Sequence, residues 1–336
     1  MKEFNLPMKR NAKIAAIASY APARVVPNQF FNDLLGEDVD TWLRENLTIR
    51  ERRWCAEDES TADLAVHAAE KALQRAGVAA ADLDLIIIST DTPEYVSPST
   101  ATVVQHRLGA VKAGTFDVNT ACAGFVTVLD IGAKYIQSDD RYENVLVIGA
   151  YAMSKFLNLK DKKTVTLFAD GAGAAVLQAT EEERGFLGSL LHTEGQYHDW
   201  MGIYAGGTHM PITSAVLENN DHLLKFVRKF PKELNPLTWT RMIKELTERI
   251  GHKIDDIDMI FFTQININSI RETLDNLGLS MARTHVVMDR YGYTGSACIP
   301  MALAEAVELG KVKKDDLILF MGSGGGLAFA TAAFRW

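Results

Sequence analysis

The sequence predicts a layered α/β fold built from two similar halves, and three observations carry that expectation. Short runs at 14–17, 85–89, 115–118, 145–148 and 174–177 are apolar on both faces, as buried strands are. Between them, 62–75 and 126–135 space their apolar residues as helices do. The order of elements also returns far down the chain. Asp82-Leu83-Asp84-Leu85-Ile86-Ile87-Ile88-Ser89 reads like Asp256-Ile257-Asp258-Met259-Ile260-Phe261-Phe262-Thr263.

The repeat extends on both sides of that segment. A helix ending in glycine precedes each copy, at Gly77 and Gly251. After each come Asp117 and Asp289, then a helix (128–136 and 301–309) and a strand (145–148 and 317–320). A chain of 336 residues is also long enough for about two domains. We therefore expect an N-terminal half, 1–179, and a C-terminal half, 180–336, joined at the surface by Glu181-Glu182-Glu183-Arg184. The segment 192–234 has no counterpart in the first half and reads as a cap or loop insertion that shapes access to a site. The uncharged run 317–334 raises the question of a membrane span, but Gly322-Ser323-Gly324-Gly325-Gly326 divides it into two buried strands joined by a tight turn.

Composition narrows the function. Lys and Arg total 35 against 43 Asp and Glu, a formal charge of −8, which disfavours a nucleic-acid partner. An apolar fraction of 47% with 23% charged residues is that of a folded soluble chain and excludes disorder or a fibrous repeat. The three cysteines, Cys55, Cys122 and Cys298, form neither a disulfide framework nor a zinc-ligand spacing. With no apolar leader at the N-terminus, this points to a reducing, cytoplasmic setting without a membrane anchor or metal.

The sharpest local feature is Thr115-Phe116-Asp117-Val118-Asn119-Thr120-Ala121-Cys122-Ala123-Gly124-Phe125. A strand enters a turn of small residues and leaves as a helix, so Cys122 sits at a helix N-terminus. Unpaired N–H groups there favour a thiolate nucleophile, and small neighbours leave room for a substrate. A buried cysteine serving as a small apolar residue fits the same pattern, and the turn alone leaves both readings open. Gly171-Ala172-Gly173 lacks the third glycine and the preceding strand of a dinucleotide loop, which makes it a weak signal for one.

Asn119-Thr120-Ala121-Cys122-Ala123-Gly124-Phe125 resembles the active-site motif of the β-ketoacyl-acyl-carrier-protein synthase III family, in the thiolase superfamily. The resemblance runs through nearly the whole chain. Ile49-Arg50-Glu51-Arg52-Arg53 is similar to the family's early Arg-rich turn, and Phe168-Ala169-Asp170-Gly171-Ala172-Gly173 to its mid-chain glycine motif, which the resemblance implies is a structural turn. Tyr291-Gly292 before Thr294, and Gly324-Gly325-Gly326 before Arg335-Trp336, are similar to its C-terminal motifs. The resemblance implies a thiolase-type duplicated five-layer αβαβα sandwich and a homodimer. It implies Cys122 as the acyl-accepting nucleophile, with the backbone N–H groups of Cys122 and Gly325 as an oxyanion hole. It implies acyl-CoA or acyl carrier protein as substrate and no cofactor.

Measured against the family pattern, the machinery for decarboxylating a malonyl extender is altered. Thr263 stands at the family's histidine in Thr263-Gln264-Ile265-Asn266, and Tyr293 at its asparagine in Tyr291-Gly292-Tyr293-Thr294. Threonine is shorter than histidine and no base near neutral pH, while tyrosine is bulkier than asparagine. Glu94, His198 and His209 are the ionisable residues that would take over a base's role, with solvated loop positions as the alternative for each. Trp42 matches the family's CoA-stacking tryptophan, though packing against the core suits it equally. Asn46 stands where an arginine usually lies beside that tryptophan, Asn268 where an arginine helps dock the carrier protein, and Asn266 closes the substrate-binding set, so a less basic tunnel mouth is expected. The functional expectation is an acyltransferase of the synthase III type, with decarboxylative condensation in doubt and fatty-acid-like or secondary-metabolite biosynthesis as its setting. The alternative is a degenerate structural partner of an active ketosynthase.

Overall fold

The computed structural model describes residues 10–336; the stretch 1–9, part of the N-terminal sequence read above for a leader, lies outside them. Two sheets form the frame. The first has five strands in the order Asn11–Tyr20, Asp170–Thr180, Asn144–Ala152, Leu85–Ser89 and Gly114–Val118. Leu85–Ser89 runs parallel to both of its neighbours, and the remaining pairs are antiparallel. The second sheet has four strands, Met259–Phe262, Leu317–Gly324, Ala328–Arg335 and Gly185–Thr193. Its first pair is parallel and the others antiparallel.

Helices Gly124–Ser138 and Cys298–Glu308 touch strands of both sheets and form the middle layer. That sandwiched place explains why both are apolar nearly all round. Thr61–Ala76 and Thr100–Leu108 cover the outer face of the first sheet; Leu234–Arg249, with Ile267–Leu277 against it, covers the second. The layers therefore run α, β, α, β, α. Local chemistry sets the helix ends. Ser60 and Asp63 form a capping box at the start of Thr61–Ala76, and Gly77 closes it at φ 66°. Among the described residues no helix is long and apolar enough to cross a membrane.

Both middle helices begin alike. Thr120 leads into Ala121 at φ 45°, a 3-10 turn Ala121–Ala123, and helix Gly124–Ser138. Thr294 leads into Gly295 at φ 50°, a 3-10 turn Gly295–Ala297, and helix Cys298–Glu308. Cys122 thus has Ser296 as its counterpart, and Asn119 has Tyr293. This corrects the pairing of Asp117 with Asp289. Asp117 lies in a strand and accepts from the N–H groups of Thr100 (2.6 Å) and Ala101 (2.8 Å). Asp289 lies in the short helix Met288–Tyr291, so the two halves agree in their turns and not in a fixed spacing before them.

Each turn presses into the opposite sheet. A Cβ added to Gly324 would lie 2.5 Å from the Cys122 nitrogen, and one added to Gly149 would lie 2.3 Å from the Ser296 carbonyl oxygen. Three expectations are corrected by such packing. Gly171 and Gly173 are not in a turn; they lie within strand Asp170–Thr180, against Met301 and Pro300 of the second middle helix. The Arg-rich segment is a strand, Glu51–Trp54, whose Arg52 is buried. Arg52 donates to Val26 O (3.2 Å) and Asn28 Oδ1 (2.7 Å), and burial pushes its pKa down to about 9. The insertion begins later than expected, because His192 and Thr193 complete strand Gly185–Thr193. It folds as a small hairpin of Met201–Gly202 with Lys225–Phe226, plus helix Ser214–Glu218.

Gly149→Ala is expected to lower the unfolding free energy by about 1–3 kcal/mol or more, through backbone overpacking. Gly207→Ala, where an added methyl meets nothing within 4 Å, should change it by less than about 0.5 kcal/mol. Urea unfolding of both variants checks this, and equal midpoints would refute it.

Candidate active site

Three parallel strands, 85–89, 114–118 and 144–152, deliver their C-terminal ends to one region, where sites of open α/β sheets lie. The turn after the second carries Cys122. Asn119 Oδ1 accepts from the Ala121 N–H (3.1 Å), and Thr127 Oγ1 ties Thr120 Oγ1 (3.0 Å) to the Ala123 carbonyl (3.1 Å). These bonds hold Ala121 in the left-handed region, where a residue with a side chain is strained by about 1–3 kcal/mol. The turn therefore fixes the thiol's direction.

Cys122 and Gly325 line two cavities that meet at the thiol. The first, about 270 Å³, runs past Tyr293, Ser323 and Asn266 to Trp42 and to Lys229 and Lys232 of the insertion. The second, about 260 Å³, holds Asp91, Asn119, Tyr151, Met153, Phe168 and Tyr204, with His198 at its edge. Trp42 is 54% exposed, which decides against its packing in the core. Asn268 Nδ2 donates to the Asn46 carbonyl (3.2 Å), and Asn46 Nδ2 to the Trp42 carbonyl (2.9 Å), so the two asparagines fasten the tryptophan's helix, Asp40–Leu47, to helix Ile267–Leu277. Asn266 caps the latter through the Asn268 N–H at 3.0 Å. The mouth is not bare of cations: Lys229 and Lys232 supply them from the insertion.

The structure separates Thr263 and Tyr293. Tyr293 is buried, with its backbone clamped by Leu167 O and the Ala169 N–H, both at 2.9 Å, and its ring 5.3 Å from that of Phe168. It lines the first cavity together with Cys122, and its hydroxyl lies near enough to favour the thiolate. Thr263 turns away instead. Its hydroxyl donates to Ser323 O (3.3 Å) and accepts from the Ser323 N–H (2.9 Å), stitching two strands together. It lines neither cavity.

Electrostatics corrects the thiolate expectation. Burial, followed by the nearby Asp91 charge, pushes the Cys122 thiol well above its ordinary pKa, and the Tyr293 hydrogen bond opposes this only in part. The resting group is a neutral thiol. Cys55 and Cys298 are also raised by burial and line neither cavity.

The base candidates fare differently as well. The Glu94 carboxylate is engaged by the Ser60 hydroxyl and the Ala62 N–H, both at 3.0 Å, at the start of an outer helix, with Arg107 at 3.8 Å. His198 is exposed at the rim of the second cavity, and His209 is exposed and lines neither. The residue missed from sequence is Asp91, three positions before Glu94. Its signal was its place just after strand Leu85–Ser89, among the strand ends that make the site.

Comparison with known proteins agrees with this geometry. Residues 116–195 match the family model for 3-oxoacyl-[acyl-carrier-protein] synthase III, and residues 247–336 match the model for its C-terminal part. The chain is 38% identical over 333 residues to a β-ketoacyl-[acyl-carrier-protein] synthase III of Clostridium perfringens, covering 97% of this chain and 99% of the relative. A 3-oxoacyl-[acyl-carrier-protein] synthase III structure from Aquifex aeolicus superposes with a TM-score of 0.87 at 32% identity, over 97% of this chain and 100% of the other. The priming β-ketosynthase of the R1128 polyketide pathway gives 0.86 at 27% identity, over 99% and 98%. The fold is the thiolase-type sandwich these neighbours share.

A raised thiol pKa means less thiolate at any given pH. Alkylation of Cys122 by iodoacetamide should therefore run slower than that of a free thiol at pH 7.5 and keep rising with pH beyond 9. Tyr293→Phe removes the larger of the two hydrogen-bonding influences that oppose this shift and should slow it further, several-fold. Peptide mapping after timed alkylation checks both; a plateau below pH 8 would contradict the assignment.

Proposed function

The chain belongs to the 3-oxoacyl-[acyl-carrier-protein] synthase III family, and from that premise we propose that Cys122 accepts an acyl group from a CoA or carrier-protein thioester. The observation that carries this reading is that Cys122 and Gly325 stand together where the two cavities meet, one of them leading to Trp42, Lys229 and Lys232. A phosphate-bearing carrier suits an opening with an exposed indole and two lysines. The Cys122 sulfur attacks the thioester carbon, and the N–H groups of Cys122 and Gly325 hold the oxygen as it becomes anionic. The intermediate collapses by breaking the bond to the carrier's sulfur, which leaves with the proton that the Cys122 thiol gave up.

The second half-reaction is where this chain departs from a malonyl-decarboxylating enzyme. Decarboxylation leaves an enolate that needs positioned donors. At the position we read as the family's histidine, the Thr263 hydroxyl is committed to Ser323. At the position we read as its asparagine, the Tyr293 hydroxyl is committed to the thiol and its ring fills space beside it. The acyl group then passes to a carbon nucleophile that arrives already activated, or to an oxygen or nitrogen nucleophile. Removing one oxyanion donor alone typically lowers the rate by about 10²–10³.

Two measurements test this. Intact-protein mass spectrometry after incubation with acetyl-CoA should show the acyl mass on Cys122 and none on Cys122→Ala; mapping of the adduct to Cys55 or Cys298 would overturn the nucleophile. Acyl-loaded protein given malonyl-CoA should release carbon dioxide at least about 10²-fold more slowly than Thr263→His plus Tyr293→Asn. Rapid turnover by the unmodified chain would overturn the departure.

We also propose a homodimer joined at strand Gly114–Val118. That strand ends the first sheet with one edge unpaired and is half-exposed, and Tyr95 (53%) and Val96 (87%) stand exposed in the loop beside it. Sedimentation at micromolar concentration should give twice the 37.1 kDa chain mass, moving toward one chain in Tyr95→Asp plus Val96→Asp. A monomer, or a dimer indifferent to that variant, would refute this interface.

A further inference from the structure

A thioester bound with its carbonyl carbon at Cys122 must extend in two directions. Its sulfur and carrier arm go one way and its acyl group the other. Of the two cavities that meet at the thiol, the one reaching Trp42, Lys229 and Lys232 suits the long polar arm, which leaves the second for the acyl group.

The second cavity is not built for a plain hydrocarbon. Asp91 Oδ1 and the Tyr204 hydroxyl are both buried there with no hydrogen-bond partner among the described residues. Two such orphans in one small cavity are a departure from the rule that buried polar groups are paired, and they mark what a ligand is shaped to satisfy. An alkyl chain would leave both unmet and would add the full desolvation of a carboxylate oxygen. The other polar walls do not serve Asp91. Asn119 Oδ1 is turned to its own backbone, and neither Asn119 nor Tyr151 makes a hydrogen bond to Asp91 Oδ1. Met153 and Phe168 give the remaining wall an apolar surface, so carbon is accommodated as well.

We propose that this cavity selects short acyl groups carrying a hydrogen-bond donor, a hydroxyl or an ammonium, and that Asp91 is the residue that accepts from it. The inference rests on the reading of Cys122 as acyl acceptor and adds to it the class of acyl group. Burial holds the Asp91 carboxyl at a pKa of about 6, so at pH 7.5 it is ionised and accepts from either donor. A site built around a hydrogen bond rejects the analogue that lacks it more strongly than an apolar pocket rejects an added hydroxyl.

The test compares butyryl-CoA, 3-hydroxybutyryl-CoA and 3-aminobutyryl-CoA at equal concentration, following mass gain on Cys122 at pH 7.5. We expect the hydroxyl or the amino compound to load at least about tenfold faster than butyryl-CoA. Whichever of the two wins identifies the donor. Asp91→Leu should reverse the order, with butyryl-CoA loading fastest; its loading by butyryl-CoA also shows that the variant is folded. Asp91→Asn, which keeps an oxygen acceptor but no charge, should fall between. Equal loading of all three in the unmodified chain, or a preference that survives Asp91→Leu, overturns the role of Asp91 while leaving Cys122 as acceptor. No adduct from any of the three, nor from acetyl-CoA, overturns the Cys122 reading and this inference with it.

Discussion

Contact between bare backbones organises this molecule. The Cys122 turn can lie on strand Leu317–Gly324 only because Gly324 and Gly322 carry no side chain; an added Cβ would stand 2.5 Å from Cys122 N or 2.9 Å from Ala123 Cα. The Ser296 turn lies on strand Asn144–Ala152 by the same device at Gly149. Each half thus drives its turn into the sheet of the other, and the two middle helices start from those turns. The site follows from that contact. It places the glycine turn after Gly324 beside the thiol, so Cys122 of one half and Gly325 of the other line the same two cavities. Backbone packing of this kind is stiff, because interiors are dense and have no slack to absorb a shift.

Enclosure then sets the chemistry. A thiol surrounded by buried groups and faced by a carboxylate stays neutral, whatever the helix start contributes. Helix N-termini lower a thiol's pKa where solvent or a cation shares the work. Here the side chain that favours the thiolate is Tyr293, a neutral donor, and the Asp91 charge opposes it. In the acyl transfer we propose, Cys122 must therefore lose its proton as it attacks, and the neutral resting thiol is protected from casual oxidation or alkylation.

The fold was legible in the sequence wherever burial on both faces left continuous apolar runs. Strand Leu85–Ser89 and the pair around Gly324-Gly325-Gly326 were readable for that reason. The nucleophile turn was readable because small residues between a strand and a helix have few other uses. The site's electrostatics were not readable. Glu94 and Asp91 are three residues apart in one loop, and only the fold decides that Glu94 caps a helix while Asp91 faces the thiol. Thr263 shows the same limit. Its residue type permits a donor, but its neighbour across the sheet, 60 positions away, takes the hydroxyl. The lysines at the mouth were hidden in an insertion that matches nothing else in the chain.

The duplication sets two turns side by side that use one position differently. Asn119 and Tyr293 occupy the same place in the two turns, one residue before Thr120 and Thr294. Asn119 is short and folds back on its own turn, bonding the Ala121 N–H at 3.1 Å. Tyr293 is too long for that. In its own turn the corresponding place is held by Gly295, whose φ of 50° needs no side-chain support because glycine adopts it freely. The side chain of Tyr293 is thereby released from a structural duty and projects across the pseudo-symmetric interface to the Cys122 thiol. One half keeps a side chain to stabilise a strained turn around Cys122. The other half relieves that strain with glycine and turns the freed position toward the Cys122 thiol itself.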